Sequence, residues 1–284
     1  LSAGGYINTL IILQTRGWHA VPISKIGKDR AAEYVIRDLQ TWNIDTELIL
    51  QRSEMATPTY ILHHTENGHF FGKHCPRCQK QMPGYSPLDV ADRNTNLKKL
   101  PSRIDVFYFD KTSKAAILTA RELKKQSCLI VFEPNRIEDE ELFEESVGLS
   151  DILKYSSERR SGLHRFSDNA NVPLEIETAG KNGLFYRTCD RSGHTGWQDL
   201  PAESVSDFKD AAGGGDWLTA ALIDSCGKGD SLENLIENKN RLEEVLRNGQ
   251  RDAARNCTYF GARGIMYENR PIIRGDDYCP HCGS

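Results

Sequence analysis

The sequence predicts an α/β protein interrupted by a small extended insert, and three observations carry that expectation. Helical and alternating apolar patterns take turns before residue 50, the alternation resumes at Ile104, and residues 51 to 101 between them are short extended pieces mixed with glycine, proline and polar side chains. Alternating helix and strand signals call for a sheet covered by helices.

Taken in order, Ile7, Leu10, Ile11 and Leu13 make a helical stripe over residues 4 to 16 that stops at Gly17, a natural C-terminal cap. His19 to Ser24 alternates as a strand, Asp29 to Trp42 carries Val35, Ile36 and Leu39 on one helical face, and Glu47 to Leu50 is extended again. Within the insert, Thr59 to His63 is the clearest extended piece. Beyond it the pattern predicts a strand at Ile104 to Phe109, a helix at Thr112 to Gln126 and an apolar strand at Cys128 to Phe132. An acidic helix at Glu138 to Val147 and a short strand at Asp151 to Lys154 follow. Residues 156 to 171 are polar and read as loop; Leu174 to Thr178 and Gly183 to Arg187 read as strands joined by a glycine-rich turn. Two helices, Ser231 to Arg247 and Gln250 to Tyr259, complete the pattern, with no internal repeat or low-complexity tract.

At 284 residues, 38% hydrophobic and 27% charged, the chain can bury a substantial core. Its 36 basic and 40 acidic residues give a net charge of -4, which argues against a dedicated nucleic-acid binder and leaves small anionic ligands open. No apolar run approaches the roughly 20 residues of a membrane span, and no secretory signal is visible, so a cytoplasmic protein without a membrane partner is expected.

Four of the eight cysteines form two pairs, His74-Cys75-Pro-Arg-Cys78 and Cys279-Pro-His281-Cys282-Gly283. A two-residue gap lets a tight turn aim both sulfurs at one ion, and four thiolates satisfy tetrahedral zinc. Metal is therefore favoured over a disulfide framework, as one shared structural zinc, with separate sites or free thiols as the alternatives. His69, His74 and His281 are either further ligands or exposed polar residues. Neither pair follows a strand into a helix as a thioredoxin-like redox motif would. Cys128, Cys189, Cys226 and Cys257 read as small core residues.

The stretch Asp210-Ala-Ala-Gly213-Gly214-Gly215-Asp216 runs into an apolar helical pattern. Three glycines let successive amides approach an anion, and a helix N-terminus adds partial positive charge. Asp216, with an ordinary pKa near about 3.9, is ionised at neutral pH and able to accept a proton from a hydroxyl. Taken alone, a triple glycine is more often a flexible turn than an anion hole.

In this order the motifs resemble those of the ribokinase-like (PfkB-type) sugar and nucleoside kinases, over nearly the whole chain. Ala3-Gly4-Gly5-Tyr-Ile-Asn8 is similar to the family's Gly-Gly-x-x-x-Asn, and Gly27-Lys28-Asp29 to its Gly-x-Asp. Glu133-Pro-Asn135-Arg136 resembles Asp-x-Asn at the end of a central strand, Asp151 to Ser156 the strand before the phosphate and magnesium motif, and Thr178-Ala-Gly180-Lys-Asn-Gly183 a nucleotide-side Thr-x-Gly-x-x-Gly. The resemblance implies a three-layer α/β/α core from residues 1–50 and 101–284, and the Cys-x-x-Cys tail at 275–284 is this chain's own addition to it. A lid-like β element at 51–100 would carry the other cysteine pair.

It further implies transfer of the ATP γ-phosphoryl group to a hydroxyl of a sugar or nucleoside, with magnesium on the phosphates. Asp216 would be the general base and the amides of Gly213, Gly214 and Gly215 the anion hole. Asp210 would help hold a monovalent cation such as potassium. Gly4, Gly5 and Asn8 would contact the substrate; Thr178, Gly180, Gly183, Asn256 and Gly261 would lie near the nucleotide. Pairing of two copies through the lid would follow the family's habit.

Four departures stand beside this. The family's first strand and substrate-binding acid would fall upstream of Leu1, Arg136 stands one place early, Glu158 stands one place before the expected acid, and Trp217 replaces a small residue. They leave an alternative: a non-catalytic binding or scaffold protein on the same fold, stabilised by zinc. The zinc ligands themselves are not part of the resemblance.

Overall fold

The computed structural model describes residues 5–65, 68–159, 163–190, 193–268 and 279–283. The chain divides into two units, Leu1–Leu88 with Asp207–Gly213 and Arg255–Ser284, and Asp89–Ser206 with Gly214–Ala254.

In the first unit the elements are α1 (Gly5–Thr15), β1 (Ser24–Gly27), α2 (Arg30–Thr41), β2 (Ile49–Arg52), β3 (Ile61–Thr65) and β4 (Gly68–Gly72). β1 and β2 pair in parallel from Ser24 opposite Ile49 to Gly27 opposite Arg52, while β3 and β4 form an antiparallel hairpin. Ile7 and Ile11 of α1 pack with Ile26, Ala32, Leu39, Trp42 and Ile49, so the two apolar helical stripes meet as their spacing predicts. Asp29 caps α2 by accepting from the Ala32 amide at 2.9 Å, and it also accepts the Thr57 amide at 2.8 Å and the Thr57 hydroxyl at 2.6 Å. Burial pushes this carboxyl up, but the hydrogen bonds from Thr57 and Ala32 together hold it below its usual value.

The first strand lies later than alternation alone predicts. Residues 19 to 23 carry no strand, and β1 starts at Ser24. Pro22 sits inside the expected strand and has no amide to give a ladder.

The second unit holds α3 (Val90–Leu97), β5 (Val106–Phe109), α4 (Lys114–Lys124), β6 (Leu129–Phe132), α5 (Glu140–Leu149), β7 (Ile152–Ser156), α6 (His164–Ser167) and β8 (Leu174–Thr178). It continues through β9 (Leu184–Asp190), β10 (Gly193–His194), β11 (Gln198–Leu200), α7 (Gly214–Lys228), α8 (Leu232–Glu237) and α9 (Lys239–Asn256), the last two residues of α9 belonging to the first unit. Its seven-stranded sheet has the order β10-β9-β8-β7-β6-β5, with β11 also on β9. β5 through β8 are parallel and β9 returns antiparallel.

Successive side chains on a strand point to opposite faces, which fixes the layers. Ile130, Phe132, Leu153 and Tyr155 face one way and pack with Ala120 and Leu123 of α4, Phe143 and Val147 of α5 and Phe166 of α6. Lys154 therefore faces the other way, in register with Ile176 and, through it, Tyr186. That second face carries α7, beside Lys154, and α9, whose Glu243 accepts the Tyr186 hydroxyl at 2.9 Å. The unit is thus helix, sheet and helix in three layers.

Other elements also differ from the sequence expectation; residues 164 to 167, inside the stretch read as loop, form the short helix α6. Residues 90 to 97, inside the stretch read as a β insert, form α3, opened by a capping box in which Asp89 and Asp92 bond each other's backbone amides. The last two helices break at Asn238 rather than near Gly249. Gly249 lies within α9 because α7 packs against it: a Cβ there would stand 2.7 Å from Leu218 Cδ1 and 3.2 Å from the Ala221 methyl.

Candidate active site and metal centre

In the first unit the turn at 210–213 is built around a buried carboxylate and a buried amide. Asp210, 2% exposed, accepts the Ala212 amide on one oxygen and the Gly261 amide on the other, each at 2.9 Å. Asn256 donates to the carbonyls of Ala212 at 3.2 Å and Gly261 at 3.1 Å, and accepts the Ile265 amide at 3.3 Å. Of the sequence-predicted residues, Asp210, Gly213, Asn256 and Gly261 are thereby brought together. Gly213 has φ +80°, and a Cβ on it would lie 2.4 Å from the Ala262 carbonyl oxygen. Only glycine meets both demands.

Between Gly213 and Gly214 the chain passes into the second unit, where Gly214 opens α7. Gly215 and Asp216 occupy its first turn, and Asp216 is 8% exposed. An acidic side chain here sits at the positive end of a 15-residue helix.

Beside that turn lies a polar network whose Glu133 and Lys154 fall in two of the quoted motifs, although their pairing with each other and with Tyr108 and Thr219 was not expected from the sequence. Lys154, 1% exposed, donates to Glu133 Oε1 at 2.6 Å. Glu133 Oε2 accepts the Tyr108 hydroxyl at 3.1 Å and the Thr219 hydroxyl at 2.8 Å; that Thr219 oxygen is also 3.0 Å from the Gly215 carbonyl. A Cβ on Gly215 would be 3.3 Å from Lys154 Nζ, so the glycine leaves the ammonium its space. Glu133 directly follows β6, and Tyr108 lies near the carboxyl end of β5. Carboxyl ends of parallel strands are where open α/β sheets place their ligand sites. The signal that could have exposed this network is a charged residue inside the apolar run Ile152-Leu153-Lys154-Tyr155.

Other expected residues fall elsewhere. Thr178 ends β8 and donates to the Tyr155 carbonyl at 3.3 Å; Gly180 begins a one-turn 3₁₀ helix, and Gly183, with φ +90°, packs against the backbone of Leu200 to Ala202. Gly5 is the first residue of α1, while Gly4 lies outside the described residues. Asn8 is buried in the first unit and accepts from Arg263 Nε at 3.1 Å; Arg263 also pairs with Asp38 at 2.8 Å. Glu158 is exposed on a short 3₁₀ turn.

Cys75, Cys78, Cys279 and Cys282 meet within the first unit, their sulfurs all within 4.8 Å of one another. Among the described residues no helix is long and apolar enough to cross a membrane.

No protein-family model matches the sequence. The chain is 26% identical over 244 residues to an uncharacterised sugar kinase from Pyrococcus horikoshii, covering 78% of this chain and 71% of that protein. A Vibrio cholerae fructokinase solved with fructose, ADP and calcium superposes with a TM-score of 0.70 at 17% identity, over 92% of this chain and 86% of its own. A Burkholderia thailandensis nucleoside kinase solved with inosine gives 0.68 at 14% identity, over 92% and 80%. The fold is ribokinase-like, as the order of the motifs implies.

Proposed function

We propose that the chain is an ATP-dependent kinase of the PfkB type that transfers the γ-phosphoryl group to a hydroxyl of a sugar or nucleoside. The observation that carries this reading is the passage from Asp210 to Asp216: a left-handed Gly213 turns the chain directly into the first turn of α7, where Asp216 stands. Phosphoryl transfer asks chiefly for positioning and for stabilisation of charge on oxygen. In this reading Asp216 takes the proton from the attacking hydroxyl, and the amides of Gly213 to Asp216, with the N-terminus of α7, stabilise the transferred group.

Asp210 is the residue proposed to hold a monovalent cation. Gly5 and Asn8 are proposed to contact the substrate, and Thr178, Gly180, Gly183, Asn256 and Gly261 to adjoin the nucleotide. Magnesium neutralises phosphate charge when bound. Glu133 already engages Lys154, Tyr108 and Thr219 with its two oxygens, and Glu158 stands one place from the expected acid. No side chain is therefore assigned to that ion, which commonly rides on substrate phosphates and water. Phe70 and Phe71 of β4, 54% and 56% exposed, offer apolar surface for pairing of two copies through the lid-like element.

Calorimetry with ATP and magnesium, followed by turnover on a panel of sugars and nucleosides, tests the reading. Nucleotide binding with turnover on at least one panel member is expected. Nucleotide binding without turnover on any member would favour the binding or scaffold reading, to which the displaced Glu158 and Arg136 point.

A further inference from the structure

Two cysteine pairs about 200 positions apart in sequence converge inside the first unit, with Cys75 Sγ 3.9 Å from Cys282 Sγ and Cys78 Sγ 3.8 Å from Cys279 Sγ. Sulfurs at the corners of a tetrahedron about 2.3 Å from a central zinc stand about 3.8 Å apart, so both measured edges match a tetrathiolate zinc site. A disulfide needs a sulfur–sulfur bond of about 2.05 Å and gives no reason for two further sulfurs to crowd it.

The backbone supports the same assignment. In each pair a turn closes from the residue after the second cysteine to the carbonyl of the first: Gln79 N to Cys75 O and Gly283 N to Cys279 O, both at 2.9 Å. Those two residues also share a left-handed conformation, φ 58° at Gln79 and φ 73° at Gly283. A side chain as long as glutamine enters that region only where its surroundings hold it. The two stretches thus form matching knuckles facing each other, and the His281 amide donates to Cys279 Sγ at 3.4 Å. His281 Nε2 lies 2.8 Å from the Gln81 carbonyl, and the ligand atoms that converge within 4.8 Å of one another are the four sulfurs.

A metal also supplies what this part of the chain lacks. The hydrophobic cluster here consists of Cys75, Met82 and Cys279, with Cys78 packed against it. Burying a methionine side chain contributes about 1.5–3 kcal/mol, whereas ordering each residue's backbone costs about 1–2 kcal/mol, so so small a cluster cannot organise two separate loops. Small modules of this kind depend on a metal or a covalent bridge. Charge agrees: residues 68 to 88 contain Lys73, Arg77 and Lys80 and no acid, against the two net negative charges of a zinc ion with four thiolates.

We propose that Cys75, Cys78, Cys279 and Cys282 hold one zinc ion with no open coordination position, and that it staples residues 279–283 to residues 73–82. The site is structural, because four protein ligands leave none for water or substrate.

Metal analysis of the purified full chain is expected to find about one zinc per chain, and a chelator is expected to lower its melting temperature. Alkylation after denaturation with chelator and without reductant should label all eight cysteines. Absence of metal, iron in place of zinc, or labelling of only four cysteines would overturn the assignment. Cys78→Ser and Cys282→Ser, at the less buried ligands, should each lose zinc binding; if either fails to fold, the measurements on the parent chain decide. None of these readouts depends on kinase turnover, so they stand or fall separately from the proposed reaction.

Discussion

Lys154 shows how one residue can be decisive and yet carry little signal. It is buried against the first turn of α7, and among the described residues its hydrogen-bond partner is Glu133. Removing one member of a buried pair strands the other charge, so Lys154→Met is expected to lower unfolding free energy by about 3–5 kcal/mol. Adding Glu133→Leu removes the stranded carboxylate and should restore most of that loss, as read by denaturant titration. No recovery in the double variant would mean that Tyr108 and Thr219 depend on Glu133 more than Lys154 does.

A second residue-scale prediction concerns acid. Asp29 has its pKa depressed in the folded state, so its contribution to stability is present above the ordinary carboxylate value of about 3.9 and is lost as pH falls through the lowered folded value. Asp29→Asn should therefore destabilise the protein at neutral pH and flatten the acid limb of its stability profile. An unchanged acid limb would contradict the role given to the three hydrogen bonds from Ala32 and Thr57.

At the scale of elements, periodicity was the readable part. β8 coincides with the predicted Leu174 to Thr178, and α2, α4 and α5 fall within two residues of expectation at each end. The errors have local causes. Pro22 denied a ladder to an alternating stretch, and the Asp89 to Asp92 capping box started a helix among residues that otherwise look irregular. Gly249 looked like a helix end but is a packing requirement imposed by Leu218 and Ala221, which sit more than two dozen positions away.

That last contact gives a sharp expectation. Alanine is a better helix former than glycine by about 1 kcal/mol, yet overpacking a fitted contact costs typically about 1–3 kcal/mol. Gly249→Ala should accordingly lose up to about 2 kcal/mol, measured by thermal or denaturant unfolding, with helical content retained. A gain in stability would show that α7 and α9 are less tightly apposed than the 2.7 Å approach implies.

At the scale of the molecule, chain order was enough to reach the fold, because the motifs follow one another as a ribokinase-like kinase requires. Distance was not. Nothing in the sequence near Asn8 announces its partner Arg263, which lies 255 positions away, and the Glu133–Lys154 pair joins two motifs that were legible separately but not as partners. The cysteine pairs were legible because each carries the Cys-x-x-Cys spacing that the proposed zinc requires, although only the fold brings the pairs together. In the Asp210 to Asp216 stretch the requirement for glycine is strict at Gly213, left-handed against Ala262, whereas a Cβ on Gly214 would make only an ordinary contact, 3.9 Å from Ala253 Cβ.

Asp216 is the residue on which the proposed reaction turns, and replacing it tests the proposal most directly. On a substrate the parent phosphorylates, Asp216→Asn is expected to lower kcat by about 10²–10⁴-fold, the usual worth of a general base, with ATP affinity and melting temperature close to the parent's. Turnover by Asp216→Asn equal to the parent's on that substrate would contradict the account.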